Sequence, residues 1–551
     1  MATVVGSLLV ILVVPPLVFL VSTSMHSWDG LRPGPVSLEN FQGILSDGVA
    51  SLELLKNSLI YAGGSTAIAI VAGSGLAWLV ERTNTPGKGA IYVAAFVSLA
   101  APGVINVIGW IMLFGPDAGL INTLAHRIGL EGGFFDIFSM GGMVLVESLS
   151  WTPVVFLLMV TPFKFMDPSL EEAGLVSGAS RWTVFRRITI RMALPSALAA
   201  LMLSLIRTLE SFEAPALIGI PGGVKVLTTE IYLQIKSGLV PEYGSASAYA
   251  VILIVLVAVL LWGYSRQTAS GERFATVTGK GFRPAVVDLG RLRIVGGIIS
   301  WATLLLVLAP LLVLVWASLL PYYRTVSWEA LQSLTLDNYA SALGRSGIVR
   351  SVGNTLVVSV VSGVAVMAIS LGAAWVMART SIRGRRGLDL LASLPLVVPG
   401  VVAGIAVLRT YIASPIPVYG TIWILAIAFT MRYLPYGMRY AHAGIVQMHP
   451  DLEESARTSG AAFWARIRRV VLPLTLPAMA GGFIFTFLNS SSQLAIPLLL
   501  SGPDSQVISV AIFDLYQNGA VTELAAFSVV VTAAIVALSG AAYRITRSQG
   551  L

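Results

Sequence analysis

Residues 166–182, Met166-Asp-Pro-Ser-Leu-Glu-Glu-Ala-Gly-Leu-Val-Ser-Gly-Ala-Ser-Arg-Trp182, return later in the chain as residues 448–464, Met448-His-Pro-Asp-Leu-Glu-Glu-Ser-Ala-Arg-Thr-Ser-Gly-Ala-Ala-Phe-Trp464. The likeness runs on through Arg186-Arg187 and Leu194-Pro195 in the first copy, and through Arg468-Arg469 and Leu476-Pro477 in the second. Both ends give one offset (448 − 166 = 282 and 477 − 195 = 282), so the copies align without a gap. Of these 30 positions 13 are identical, where chance gives roughly two or three at ordinary residue frequencies. A period this long lies far outside those of solenoids and propellers. The chain therefore reads as two fused, homologous halves.

The likeness reaches further back at a second offset. Asn57-Ser-Leu answers Asn354-Thr-Leu, Arg82-Thr83 answers Arg379-Thr380, and Pro102-Gly103-Val104 answers Pro399-Gly400-Val401, all 297 residues apart. The change of offset (297 − 282 = 15) places 15 extra residues in the first half. They fall most simply within 115–138, where Gly119–Gly129 has the pattern of a short amphipathic helix lying at the membrane interface.

Composition names the solvent. Hydrophobic residues make up 56% of the 551, charged residues only 11%, and mean hydropathy is +0.83; soluble domains carry about 25% charged residues. Apolar runs long enough to cross a bilayer recur at about 4–24, 55–80, 90–114, 140–163, 193–218 and 246–264, then at about 294–319, 352–378, 387–410, 420–445, 475–499 and 522–543. The expected fold is an all-α polytopic membrane protein of about twelve transmembrane helices in two parallel six-helix repeats, packed about a pseudo-twofold axis along the membrane normal. A β-barrel is excluded by run length, since its strands need only about ten alternating residues. The domain reading is a first repeat at 1–264, a linker rich in Ser, Gly, Thr and Arg at 265–292, and a second repeat at 293–551. The first run follows Met1 with no basic stretch before it and no evident A-x-A-like site after it, and reads as a span and not a signal peptide.

Charge placement orients the chain. Arg266, Arg273, Lys280, Arg283, Arg291 and Arg293, then Arg379, Arg383, Arg385 and Arg386, lie on the same side of the twelve-span arrangement as both repeated segments and as Arg544 and Arg547. By the positive-inside rule that side is cytoplasmic, so both termini of the multi-pass chain are expected there. The net charge of +8 is then a topology signal; a nucleic-acid partner would need a soluble basic face and is not expected. With no cysteine, neither disulfides nor thiolate metal sites are possible, and the four histidines, His26, His126, His442 and His449, form no ligand cluster.

The repeated segments, 166–191 and 448–473, fall on the basic side between spans four and five of each half. Ser169 with Glu172, and Asp451 with Glu454, have capping-box spacing at a helix start. Gly178 and Gly460 suit a left-handed helix stop. Each half thus presents a helix–glycine turn–helix hairpin. Glu172 and Glu454 as simple caps, and Trp182 and Trp464 as interface anchors, are the plain alternatives to a docking surface.

These residues resemble the EAA loop of ABC-importer permeases, E-A-A-x-x-x-G followed ten residues on by I-x-L-P. The first copy shows Glu172-Ala173-Gly174, Gly178 and Ile188-Thr-Ile190, with Arg191 in place of the final proline; the second shows Glu454-Ser455-Ala456, Gly460 and Val470-Val-Leu472-Pro473. The resemblance implies a binding-protein-dependent importer permease of type I fold. Its coupling residues would be Glu171, Glu172, Gly178 and Trp182, with Glu453, Glu454, Gly460 and Trp464. Two ABC ATPase subunits, expected as a homodimer, would dock there, and an extracytoplasmic solute-binding protein on the other face. No G-x-x-x-x-G-K-[ST] phosphate loop occurs in the chain, so ATP and Mg are expected on the partner, with no cofactor on this chain.

Polar residues within the spans are candidates for the path, because charge inside a bilayer is costly. Arg207, Glu210 and Glu213 are spaced to share one helical face in span five. Their 282-offset counterparts are Asn489, Ser492 and Ala495, beside Gln493. Glu147 and Arg432 are further candidates, expected to pair across the halves. An Arg207–Glu210 pair that only neutralises itself is the plain alternative. Ser211-Phe-Glu-Ala-Pro-Ala-Leu-Ile-Gly219 and Val226-Leu-Thr-Thr-Glu-Ile-Tyr232 look most like the ferric-iron branch of the family. Thiamine, polyamine, aminoethylphosphonate and sugar phosphate are the alternative solutes. A proton-coupled secondary carrier is the alternative class, which would need buried relay groups beyond Glu147, Glu210 and Glu213 and would have no use for the two hairpins.

Overall fold

A computed structural model describes residues 2–29, 32–129, 135–269, 286–382, 384–412 and 414–548. The middle of the expected linker, with Arg273, Lys280 and Arg283, lies outside the described residues, as do Arg383 and positions 130–134 of the expected insertion. All twelve apolar runs are helical, and they divide into three kinds. Nine helices among the described residues are long and apolar enough to cross a membrane unbroken. In the first half these are Ala2–Ser24, Gly48–Arg82, Met140–Phe165, Arg181–Glu210 and Tyr243–Arg266, which we number spans one, two, four, five and six. In the second half they are Gly290–Ser318, Ser346–Arg379, Phe463–Ser492 and Val521–Leu538, spans seven, eight, eleven and twelve. Span ten, Ile422–Gln447, is as long but carries Arg432 and Arg439.

Spans three and nine are broken. Lys88–Leu99 with Gly103–Phe114, and Gly387–Val397 with Gly400–Ile412, each bend by 111°. The cause is local: Pro102 and Pro399 push the preceding residues, Ala101 (ψ 127°) and Val398 (ψ 108°), out of the helical region. Spans five and eleven end sooner than their apolar runs. The helices stop at Glu210 and Ser492, where Ser211 (ψ 141°) and Gln493 (ψ 136°) are extended, and helical turns resume at Pro215–Gly219 and Ala495–Leu500. A broken backbone within a membrane must have its freed groups satisfied by protein. The Thr228 hydroxyl donates to the Ser211 carbonyl at 2.9 Å, and the Ser509 hydroxyl to that of Gln493 at 2.6 Å. The repeated Asn57-Ser58 and Asn354-Thr355 hold the returning segments: Asn57 donates to the Lys225 carbonyl, Asn354 to those of Asp504 and Gln506, and Ser58 and Thr355 hydroxyls accept the N–H of Leu227 and Ile508.

Each half is built on one tight pair, span two against span four and span eight against span ten. The first span of each half reaches across to the other. Span one packs on its own span six and on spans eight and nine; span seven packs on its own span twelve and on span three. Such a reciprocal exchange is what a twofold relation between the halves produces. Spans three and seven approach so closely that a Cβ on Gly109 would lie 2.5 Å from the Pro310 carbonyl oxygen. On the face away from the repeated segments, His26–Asp29 and Arg32–Val36 form a small antiparallel ribbon, and Leu120–Arg127 forms the short helix expected at 119–129.

Candidate functional site

Each repeated segment folds as a hairpin. Ser169–Val176 and Pro450–Thr458 are short helices; Gly178 (φ 85°) and Gly460 (φ 81°) turn the chain in the left-handed region; Arg181–Val184 and Phe463–Arg466 start the second limb. That limb opens spans five and eleven and passes through one π-helical stretch in each half, Phe185–Thr189 and Ile467–Val471. The expected capping boxes do not form. Pro168 and His449 occupy the cap positions, the Asp167 carboxylate accepts from the Ser169 N–H, and His449 Nδ1 accepts from Asp451. Glu172 and Glu454 are exposed and cap nothing.

The preceding glutamates do the opposite. Glu171 is buried and ion-paired to the fully buried Arg82 at the end of span two, and its other oxygen accepts the Thr189 hydroxyl at 2.5 Å. Glu453 is buried, 3.6 Å from Arg379 at the end of span eight, and accepts from Trp375 Nε1 at 3.0 Å. Glu171 and Glu453 therefore face the membrane helices, which corrects the expectation that they lie on a docking surface. One residue, about 100° around the helix, separates the glutamate that the hairpin offers from the one that anchors it. Trp182 and Trp464 are 67% and 72% exposed, each against a phenylalanine, Phe185 or Phe463, which packs in turn on Trp78 or Trp375. The first hairpin has an added clasp. Val287 pairs with Thr83 as a parallel bridge, Asn84 bonds Asp288, and Arg181 donates to the Asp288 carbonyl. The Gly290 N–H and the Asn84 amide hold the Asp288 carboxyl below its ordinary range.

Between the halves the polar residues converge on Glu210. Its Oε2 is 3.4 Å from Arg207 and 2.6 Å from Arg432, and Arg432 also donates to the Pro395 and Val398 carbonyls at the span-nine elbow. Arg207 bonds the Tyr436 hydroxyl and lies over its ring, and the Tyr433 hydroxyl donates to Gln493 at 3.0 Å. Three expectations change here. Arg432 pairs across the halves with Glu210, whereas Glu147 bonds Trp151 and Ser211 of its own half. Glu213 lies beyond the end of the helix, at the span-three elbow beside Gly103, so it does not extend the Arg207–Glu210 stripe. Asn489 and Ser492 bond carbonyls of their own helix, Phe485 and Leu488, and do not face that stripe. Tyr433 and Tyr436 went unnoticed in the sequence, although two phenols one and four residues after an intramembrane arginine were a readable signal. Among the described residues no group of three or more His, Asp or Glu side chains is placed to hold a metal ion.

Comparison with known proteins fits this architecture. A Haemophilus influenzae protein named as a ferric transport system permease, FbpB 1, is 26% identical over 470 residues, covering 83% of this chain and 72% of its own. The ferric transport system permease protein FbpB of Actinobacillus pleuropneumoniae is 25% identical over 478 residues, 85% of this chain and 67% of its own. A Salmonella typhimurium protein named for 2-aminoethylphosphonate transport, PhnV, is 26% identical over 178 residues, 32% of this chain and 67% of its own. The model of one family, the binding-protein-dependent transport system inner membrane component, matches twice, at residues 69–268 and 365–548. The chain belongs to that family, and is an ABC-importer permease with both copies of its domain fused in one double-length chain, a transport subunit and not an enzyme.

Proposed function

We propose that this permease sits in the bacterial inner membrane with both termini in the cytoplasm, and converts ATP hydrolysis on two separate ATPase subunits into alternating access. The observation that carries this is the pair of hairpins: each presents an exposed glutamate, a left-handed glycine turn and an exposed tryptophan, and each is fixed to the membrane helices by an Arg–Glu pair whose glutamate is buried. A surface that must transmit force needs both properties. The repeats are taken as 1–264 and 293–551, joined by 265–292, with ATP and Mg held by the partner. The path runs between the halves past Arg207, Glu210 and Arg432. An extracytoplasmic binding protein delivers the solute, docking where Leu120–Arg127 gives the first half an element that the second lacks among the described residues.

Ferric iron is the proposed solute, supported by relatives named for ferric transport along most of the chain. Aminoethylphosphonate is the second reading, favoured by the match over a single repeat. The test is to purify the chain with its partners, identify a Walker-motif ATPase among them, and analyse by metal assay and mass spectrometry what the captured binding protein holds. Ferric iron supports the first reading and an organophosphonate the second. A chain that moves solute on a proton gradient without an ATPase refutes both.

A further inference from the structure

Among the described residues, Glu210–Arg432 is the one ion pair that joins the first half to the second. Both side chains are 5% exposed, while Arg207, one turn nearer the coupling hairpins, is 29% exposed. The cluster is thus more open on the hairpin side and closed at this pair. Parting a buried pair is costly when it leaves a charge alone. Here each charge has a second partner within its own half. Glu210 has Arg207, three residues back on the same helix; Arg432 has the Pro395 and Val398 carbonyls at 3.1 and 2.5 Å. Spans five and ten can separate at this point, with loss of the Arg207–Tyr436 bond but with neither charge of the pair stranded. A contact serving only to hold the halves together has no need of such substitutes.

We propose that Glu210–Arg432 is a latch that shuts the path between the halves, and that each transport cycle exchanges it for the partners within each half. This rests on the transporter reading above. Each partner stands at a break: Glu210 closes the span-five helix, and Arg432, in mid-helix, holds two carbonyls of the span-nine bend. Releasing the latch thus frees both breaks to move together.

The chain contains no cysteine, so paired thiols can be placed without background. Glu210→Cys with Arg432→Cys, assembled with the ATPase and binding protein in proteoliposomes, is bridged with a bifunctional thiol reagent. Uptake is expected to fall at least tenfold relative to the same protein carrying a monofunctional reagent; equal uptake overturns the latch. A second measurement uses single variants that each remove one charge. Glu210→Gln is expected to raise ATPase activity without binding protein severalfold, and Arg207→Gln to lower the stimulated rate severalfold instead. Identical effects, accompanied by equal losses of thermal stability, indicate a structural cluster and overturn the proposal. Absence of ATP-driven uptake by the unmodified complex counts against the transporter reading. The latch is then judged on the permease alone in lipid nanodiscs, with spin labels at Leu203→Cys and Tyr440→Cys. Broadening of their distance distribution by Glu210→Gln supports it, and an unchanged distribution overturns it.

Discussion

Replacing Glu171 by Gln is expected to destabilise the protein more than replacing Glu453 by Gln, although the two glutamates hold equivalent places. The difference lies in what each leaves behind. Arg82 is fully buried, and its Nε and Nη1 have no hydrogen-bond partner among the described residues, so Glu171 alone compensates its charge. Stranding a buried charge costs roughly 3–5 kcal/mol, and the Gln carbonyl recovers part of one bond, so about 3 kcal/mol is expected. Arg379 is 14% exposed, stands 3.6 Å from Glu453, and also donates to the Ile445 and Met448 carbonyls at 3.2 and 2.5 Å. Its charge keeps partners and some water, and the loss is about 1 kcal/mol. The gap of about 2 kcal/mol corresponds to roughly a 30-fold difference in the folded-to-unfolded ratio. Unfolding of the two single variants in detergent, followed by near-UV circular dichroism against denaturant, measures it. Equal losses, or a larger loss for Glu453→Gln, refute the claim that partner number sets the cost.

Gly178→Val and Gly460→Val should each strain the hairpin by about 1–2 kcal/mol through the left-handed backbone alone, since nothing lies within 4 Å of an added Cβ at either. Both should uncouple uptake from ATP hydrolysis to a similar degree, and a variant with normal coupling would show that the turn is not needed. The double Glu172→Gln/Glu454→Gln chain should melt as the unmodified chain does, because both residues are exposed, yet co-purify less ATPase; unchanged assembly would deny them an interfacial role. Gly109→Ala should cost about 1–3 kcal/mol by pushing span three off Pro310, and a neutral melt would contradict the close packing of spans three and seven. Asp288 has a lowered pKa, so its clasp on the linker is complete above the ordinary Asp value and is lost only as pH falls through the lowered one. Hydrogen exchange at the Leu289 amide, which donates to Asn84 at 3.0 Å, should after correction for intrinsic rates show constant protection from about pH 8 to 5; loss of protection near pH 6 would contradict this.

Much of the architecture was legible in the sequence because it rests on local physics. Helical spans follow from apolar run length, the hairpins from a glycine placed where only a residue without Cβ turns easily, and the duplication from two constant offsets. The breaks at Ser211 and Gln493 were not legible. Hydropathy sums composition along a run, and what makes these breaks tolerable is a hydroxyl from another element, Thr228 or Ser509, meeting the freed carbonyl. Nor could the sequence choose between neighbouring glutamates. Glu171 and Glu172 differ by about 100° around one helix, and which of them turns inward depends on Arg82, 89 residues away. The partner of Arg432 was misassigned for the same reason: a charge inside a bilayer demands compensation, but Glu147 and Glu210 satisfy that demand equally until the helices are placed. Pairing Glu210 with Arg432 across 222 residues, and exchanging the first span of each half with the other, are decided by how two similar bundles fit together. Chain periodicity records the bundles and not their fit.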